Sequence, residues 1–281
     1  MSKLENEFIS VIVEPKGAEI QSLISKQDST EYIWQGDPKY WPWHAPICFP
    51  IVGKLANDKY YVKGNAYSLP IHGFARDMEF NEIDISQSHV IYHLGYDITT
   101  LARFPFKFEL EITYTLKGNG VDIAYTVENV DDKELYFSLG AHPGFNCPFS
   151  SEEMFNDCEL AFEKAERYFI KGQEELHLPS DNILQLKHDI FSKGVLTFKN
   201  PQSQFVTLRS RKTGRTLTLR FEGFPYLGIW SKPEGAPFIC IEPWYGITDR
   251  PGESQEISAK EGILSLQPNQ EFRCAYQIIV G

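Results

Sequence analysis

At 281 residues, 42% of them hydrophobic and 23% charged, the chain is long enough to bury a substantial core and has the make-up of a folded globular protein. A formal net charge of −11 without a lysine or arginine run argues against a general nucleic-acid binder, and no apolar stretch approaches the ~18 residues of a membrane span. The five cysteines (Cys48, Cys147, Cys158, Cys240, Cys274) are odd in number and contain no C-x-x-C pair, and Met1 to Glu7 is polar, so a disulfide framework, a structural zinc site and a secretion signal are not expected and a cytoplasmic setting fits best.

In chain order the pattern is alternation. Phe8 to Val13 opens it, Met78 to Ile85 is a period-two run, and His89 to Leu94 reads as its antiparallel partner. Asp97 to Arg103 reads as a short capped helical turn stopped by Pro105. Phe108 to Leu116 and Val121 to Val127 alternate on either side of Lys117-Gly118-Asn119-Gly120, where Gly and Asn supply the positive φ of a hairpin turn. Leu135 to Leu139, Phe205 to Ser210, Thr216 to Phe221 and Phe272 to Val280 read as further strands, with helical turns near Ser150 to Phe155 and His188 to Phe191. With 20 Phe, 14 Tyr and 5 Trp, no βαβ rhythm and no repeat, the expectation is an all-β protein: one domain over residues 1–281, built as a large antiparallel β-sandwich.

Function must then be sought in the irregular polar segments. Tyr40 to Leu55 holds four aromatics (Tyr40, Trp41, Trp43, Phe49) and three prolines, a stiff loop suited either to a flat ligand or to plugging one end of the sandwich; Lys54 follows Gly53 there, as a ligand-facing cation or a solvated one. In Pro70 to Asp77, His72 precedes Gly73 and Arg76 can fork onto an anion or vicinal hydroxyls, or simply pair with Asp77. A strand ending at Leu139 delivers His142 into a Gly/Pro-rich turn, which suits either proton transfer or turn capping. Glu242 ends the apolar run from Phe238, and a carboxylate there is either a tuned base or half of a structural ion pair. No G-x-S-x-G elbow or metal-type histidine spacing appears, and neither a metal nor an organic cofactor is expected.

Taken together and in this order, Trp41 to Leu55 with its Phe49-Pro50-Ile51-Val52-Gly53-Lys54 core, His72-Gly73-Phe74-Ala75-Arg76, Ala141-His142-Pro143-Gly144-Phe145 and Ile241-Glu242-Pro243 resemble the aldose 1-epimerase (galactose mutarotase-like) family. The match is to its bacterial LacX-like branch, related to the glucose-6-phosphate 1-epimerases. The resemblance implies a β-supersandwich that interconverts the α and β anomers of an aldose, with His142 as general acid and Glu242 as general base. It also implies that His72 contacts the sugar, that Lys54 stands where many members have Arg, and that Asp189, with Asp181 as its rival, holds a sugar hydroxyl. The expected partner is a small sugar such as galactose or glucose, or its 6-phosphate if Lys54 and Arg76 take the phosphate. A non-catalytic carbohydrate-binding sandwich is the alternative of a different class, and oligomeric state is not legible.

Overall fold

The structure is a computed structural model that describes residues 1–170, 175–250, 252 and 254–281. Two antiparallel sheets dominate it. The larger has nine strands, in the order Ile183–Gln185, Cys158–Phe162, Phe205–Ser210, Thr216–Arg220, Glu271–Val280, Gly120–Asn129, Phe108–Lys117, His89–Gly95 and Asn81–Ile85. The predicted hairpin lies inside it: Lys117 pairs with Gly120, and Gly118 takes φ +57° in the two-residue turn. Glu271–Val280 lies between Thr216–Arg220 and Gly120–Asn129, so a strand from late in the chain joins two parts of the sheet made earlier.

The second sheet has Leu196–Lys199, Tyr226–Trp230, Phe238–Tyr245, Leu139–Ala141 and Ile47–Cys48 in that order, with Gly144–Asn146 also paired to Phe238–Tyr245. Side chains of one phase (Ile239, Ile241, Leu227, Ile229, Leu139, Ile47) enter the main core, which also holds Leu110, Ile123, Leu217 and Ile278 of the nine-stranded sheet. The two sheets are thus the leaves of a sandwich, and each fully buried Leu, Ile or Phe in it contributes about 1.5–3 kcal/mol. The opposite phase of the central strand, Phe238, Cys240 and Trp244, belongs to two smaller clusters on the other face. Glu242 shares that phase.

Helix is sparse. Among the described residues the α-helical segment is the four-residue Ile98–Leu101, with Asp97 accepting from the Thr100 N–H in a capping box; Phe155–Asp157 and His188–Phe191 are 3₁₀ turns.

Three sequence expectations need correction. The strand expected over Leu135 to Leu139 is two, Leu135–Phe137 and Leu139–Ala141, because the Ser138 N–H leaves the ladder to donate to the Pro50 carbonyl at 2.7 Å and the halves then pair with different strands. The run from Met78 forms a strand only from Asn81, after the 3₁₀ turn Ala75–Asp77 whose geometry the Met78 N–H closes. The strand carrying Glu242 does not stop there but runs to Tyr245. Pro243 is tolerated in its interior because the neighbouring chain is out of regular pairing at residues 142–143, between Leu139–Ala141 and Gly144–Asn146, so no ladder donor is required of it there.

Two segments flanking the central strand's exit are tied by a buried ion pair. Lys260 Nζ lies 2.5 Å from Asp249 Oδ1 and donates to the Ile247 carbonyl at 2.6 Å, with the two side chains only 4% and 5% exposed. Asp249 Oδ2 accepts from the Ala56 N–H at 2.9 Å, and the Asp249 N–H donates to the Lys54 carbonyl at 3.0 Å. Lys260→Met leaves that carboxylate buried without its cation and should cost about 3–5 kcal/mol in urea unfolding. A cost below ~1 kcal/mol, the range of exposed pairs, would show that the clamp is not needed.

Candidate active site

The register of the second sheet builds the centre of the site. Gly144 pairs with Cys240 and Gly140 with Trp244, so the interrupted stretch between them sets His142 beside Glu242. The His142 backbone is held by its N–H donating to Pro46 at 3.1 Å. On the other side of the central strand Glu242 is paired with Gly228, which leaves room for the Trp244 ring: a Cβ on Gly228 would lie 2.4 Å from it.

Glu242 is 1% exposed and His142 8%. His142 Nε2 and Glu242 Oε2 are 3.0 Å apart. The contact is not an aligned hydrogen bond, and among the described residues Glu242 Oε2 and His142 Nδ1 have no hydrogen-bond partner. Two acid–base groups therefore face one another with unused bonding capacity, in a place where unpaired polar atoms are costly.

His72 stands edge-on to His142, with ring centroids 5.1 Å apart. Its backbone is in the left-handed region at φ +64°, held by its N–H donating to Gly53 at 2.9 Å and its carbonyl accepting from Phe49 at 3.1 Å. Gly73 follows at φ +75°, and a Cβ there would fall 2.2 Å from the Phe49 carbonyl oxygen, so no larger residue fits. The Gly53 N–H donates to His72 Nδ1 at 3.2 Å, and Cys48 Sγ is 3.1 Å from the same nitrogen. An Nδ1 that accepts places the ring proton on Nε2. Burial first, then the neighbouring His142 and Arg76 charges, hold the His72 pKa well below the usual histidine value, so the ring is neutral.

An aromatic wall covers this face. Trp41 stacks on His142 with centroids 4.9 Å apart, Trp230 meets the same ring edge-on at 6.0 Å, and Phe238 and Trp34 pack behind Trp41. The loop of prolines and tryptophans is therefore both plug and platform: it caps the outer face and presents rings to whatever reaches His142.

The other expected residues divide. Arg76 is near the cluster, its side chain 11% exposed, with Nη2 donating to the Ile71 carbonyl at 3.0 Å and the guanidinium over the Trp43 ring at 4.7 Å; Asp77 is only a distant partner at 3.9 Å. Lys54 borders the site through its backbone, its N–H donating to Thr248 Oγ1 at 3.2 Å, while its ammonium is exposed and lies 3.4 Å from Asp58. Asp189 is exposed in the 3₁₀ turn His188–Phe191, which is anchored elsewhere by His188 stacking on Phe155, and its carboxylate makes no hydrogen bond or ion pair among the described residues. Asp181 is also exposed and accepts from the Ile183 N–H. The structure thus brings together His142, Glu242, His72 and Arg76, with Lys54 at the rim, while the Asp189 carboxylate makes no hydrogen bond or ion pair with any of them among the described residues. Two thiols not anticipated at the site, Cys48 and Cys240, lie close enough to Glu242 that its charge adds to the burial that pushes both of their pKa values well up.

A sequence model described as aldose 1-epimerase matches residues 2–259, and the chain belongs to that family, whose members act on sugars. It is 32% identical to the chromosomal LacX protein of Lactococcus lactis subsp. lactis, over 99% of this chain and 98% of that one. Among solved structures it resembles a galactose mutarotase-like protein from Lactobacillus casei (35% identity, TM-score 0.93, all of both chains) and a galactose mutarotase related enzyme from Lactobacillus acidophilus (31% identity, TM-score 0.94, 100% of this chain and 97% of that one).

His72 should stay neutral, with its proton on Nε2, through the pH ~6–7 range in which an ordinary histidine takes up a proton. Ring ¹⁵N shifts followed by pH titration check this, and protonation within that range would contradict it.

Proposed function

We propose that the protein is a mutarotase, interconverting the α and β anomers of a free aldohexose by acid–base ring opening and closure. The observation that carries the reading is the 3.0 Å separation of His142 Nε2 and Glu242 Oε2. Mutarotation moves protons at two oxygens on the same carbon, O1 and the ring oxygen O5. Two oxygens on one tetrahedral carbon lie roughly 2.3 Å apart, and each needs its proton partner within ~2.6–3.2 Å, so the acid and the base must lie within about 9 Å of one another, which this pair does.

Glu242 enters as carboxylate and takes the proton of the anomeric hydroxyl, while His142 enters as imidazolium and gives its proton to O5. The O1–H electron pair becomes the second bond of the aldehyde, and the C1–O5 pair leaves with O5 to become a hydroxyl. Rotation about C1–C2 presents the other carbonyl face. Closure reverses both transfers and restores Glu242 and His142. His72 offers its Nε2–H to a sugar hydroxyl, and Trp41 or Trp230 offers an apolar face to the ring.

A negative net charge of −11 and only two cations at hand favour a free sugar over a 6-phosphate: Lys54 pairs with Asp58, and Arg76 gives one N–H to Ile71 and lies over Trp43, while its Nε has no hydrogen-bond partner among the described residues. Lys54, Arg76 and Asp189 remain as substrate-binding residues on this reading, Lys54 and Asp189 only after moving toward the sugar. A carbohydrate-binding role without turnover would have no use for the buried pair.

His142→Asn and Glu242→Gln should each slow anomer exchange by ~10²–10⁴-fold while leaving the circular dichroism spectrum unchanged. Polarimetry with α-galactose or α-glucose gives the rate. Folded variants that equilibrate anomers at the wild-type rate would sink the assignment, and sugar binding without acceleration by the wild type would favour the binder. Run side by side, galactose and glucose should give a higher kcat/KM than glucose 6-phosphate; the reverse order, with a loss in Lys54→Ala or Arg76→Ala, would transfer the activity to the phosphorylated sugar.

A further inference from the structure

Cys240 is two residues before Glu242 on the same strand, and so on the same face. One donor atom each from His142, Cys240 and Glu242 fall within 4.8 Å of one another, and all three residues are buried. The donor set is nitrogen, sulfur and carboxylate oxygen. We propose that these three side chains form a binding site for a soft divalent cation of the zinc type, and that its occupation inhibits the enzyme.

The geometry suits such an ion. With metal–nitrogen and metal–oxygen bonds of ~2.0–2.1 Å, tetrahedral coordination needs those two donors roughly 3.3 Å apart. His142 Nε2 and Glu242 Oε2 are 3.0 Å apart, so a shift of a few tenths of an ångström admits the ion between them; the Cys240 sulfur, within 4.8 Å of both, closes by up to about 1.2 Å to reach the roughly 3.6 Å that a tetrahedral site with a longer metal–sulfur bond requires. Glu242 Oε2, on a residue 99% buried, has no hydrogen-bond partner among the described residues, which leaves its lone pairs available. Three protein ligands leave the fourth tetrahedral position to a water or another small ligand. Binding exchanges one proton: the Cys240 S–H bond breaks, sulfur binds the cation as thiolate, and the proton goes to buffer. Burial and the Glu242 charge keep that thiol protonated in the metal-free protein, so a divalent charge is what draws the proton off. Magnesium and calcium take six or more oxygen ligands, and of these three side chains only Glu242 offers oxygen.

Metal binding stands on the three side chains alone, whereas inhibition rests on the mutarotase reading, because the ion would occupy the atoms that exchange protons with the sugar. Cobalt(II) reports the site without any sugar. On adding about one equivalent to the intact protein, a thiolate-to-cobalt charge-transfer absorption should appear, and it should vanish in Cys240→Ser and Cys240→Ala. Zinc should inhibit anomer exchange, reversibly on adding EDTA, and magnesium should not. Measured against each variant's own metal-free rate, loss of a ligand should raise the inhibitory zinc concentration at least ~100-fold, since loss of a mere supporting partner lowers metal affinity ~10–100-fold. Cys48→Ala should keep the absorption. Absence of the band in folded wild type, equal zinc sensitivity in the Cys240 variants, or loss of the band in Cys48→Ala would each overturn the assignment. A cobalt band in a protein that does not turn over sugar would uphold the metal site and sink the mutarotase reading.

Discussion

A carboxylate held 1% exposed on a central strand is costly unless charge or hydrogen bonding meets it, and Glu242 is met by His142. The rest of the site follows from making that meeting possible. The neighbouring chain must leave regular pairing at His142 and Pro143, the opposite neighbour must be Gly228 so that Trp244 can lie across it, and the exposed side of the pair must be covered by Trp41. Each local choice serves one contact, which is the consistency across levels expected of a chain with a single well-defined fold.

The phase of the strand also separates stability from chemistry. Ile239 and Ile241 fill the main core, whereas Cys240 and Glu242 face the other way, beneath the aromatic wall. Substitutions on one phase test packing and those on the other test the site. The second histidine is fixed independently, by a strained backbone and the Gly53 N–H, so its tautomer does not depend on the Glu242 strand.

Most of the large sheet was legible because its strands alternate: Phe108–Lys117, Gly120–Asn129, Phe205–Ser210 and Glu271–Val280 all stand where the period-two pattern puts them. Strands such as Ile47–Cys48 and Tyr226–Trp230 escaped notice because they are short, or buried on both faces without alternation. Pro243 hid the continuation of the Glu242 strand, since a proline argues against a central strand until its neighbour is known to leave the ladder. His142 and Glu242 were legible through their motifs. The thiols were not, because Cys240 acquires meaning only once its i−2 relation to Glu242 is known to be that of a strand, and Cys48 meets His72 only through tertiary packing. Asp189 had no local signal beyond its order in the chain, and its turn is anchored on Phe155 instead.

The placement of Glu271–Val280 between Thr216–Arg220 and Gly120–Asn129 has a consequence for synthesis. During translation the two parts of the large sheet emerge first and must wait, each with an open edge, for a ten-residue strand made after both. The leaf that backs His142 and Glu242 cannot close until then, so a nascent chain carries both residues well before it has the complete sheet behind them. Productive assembly waits for that strand, and the waiting edges are the stage most exposed to mispairing with another chain.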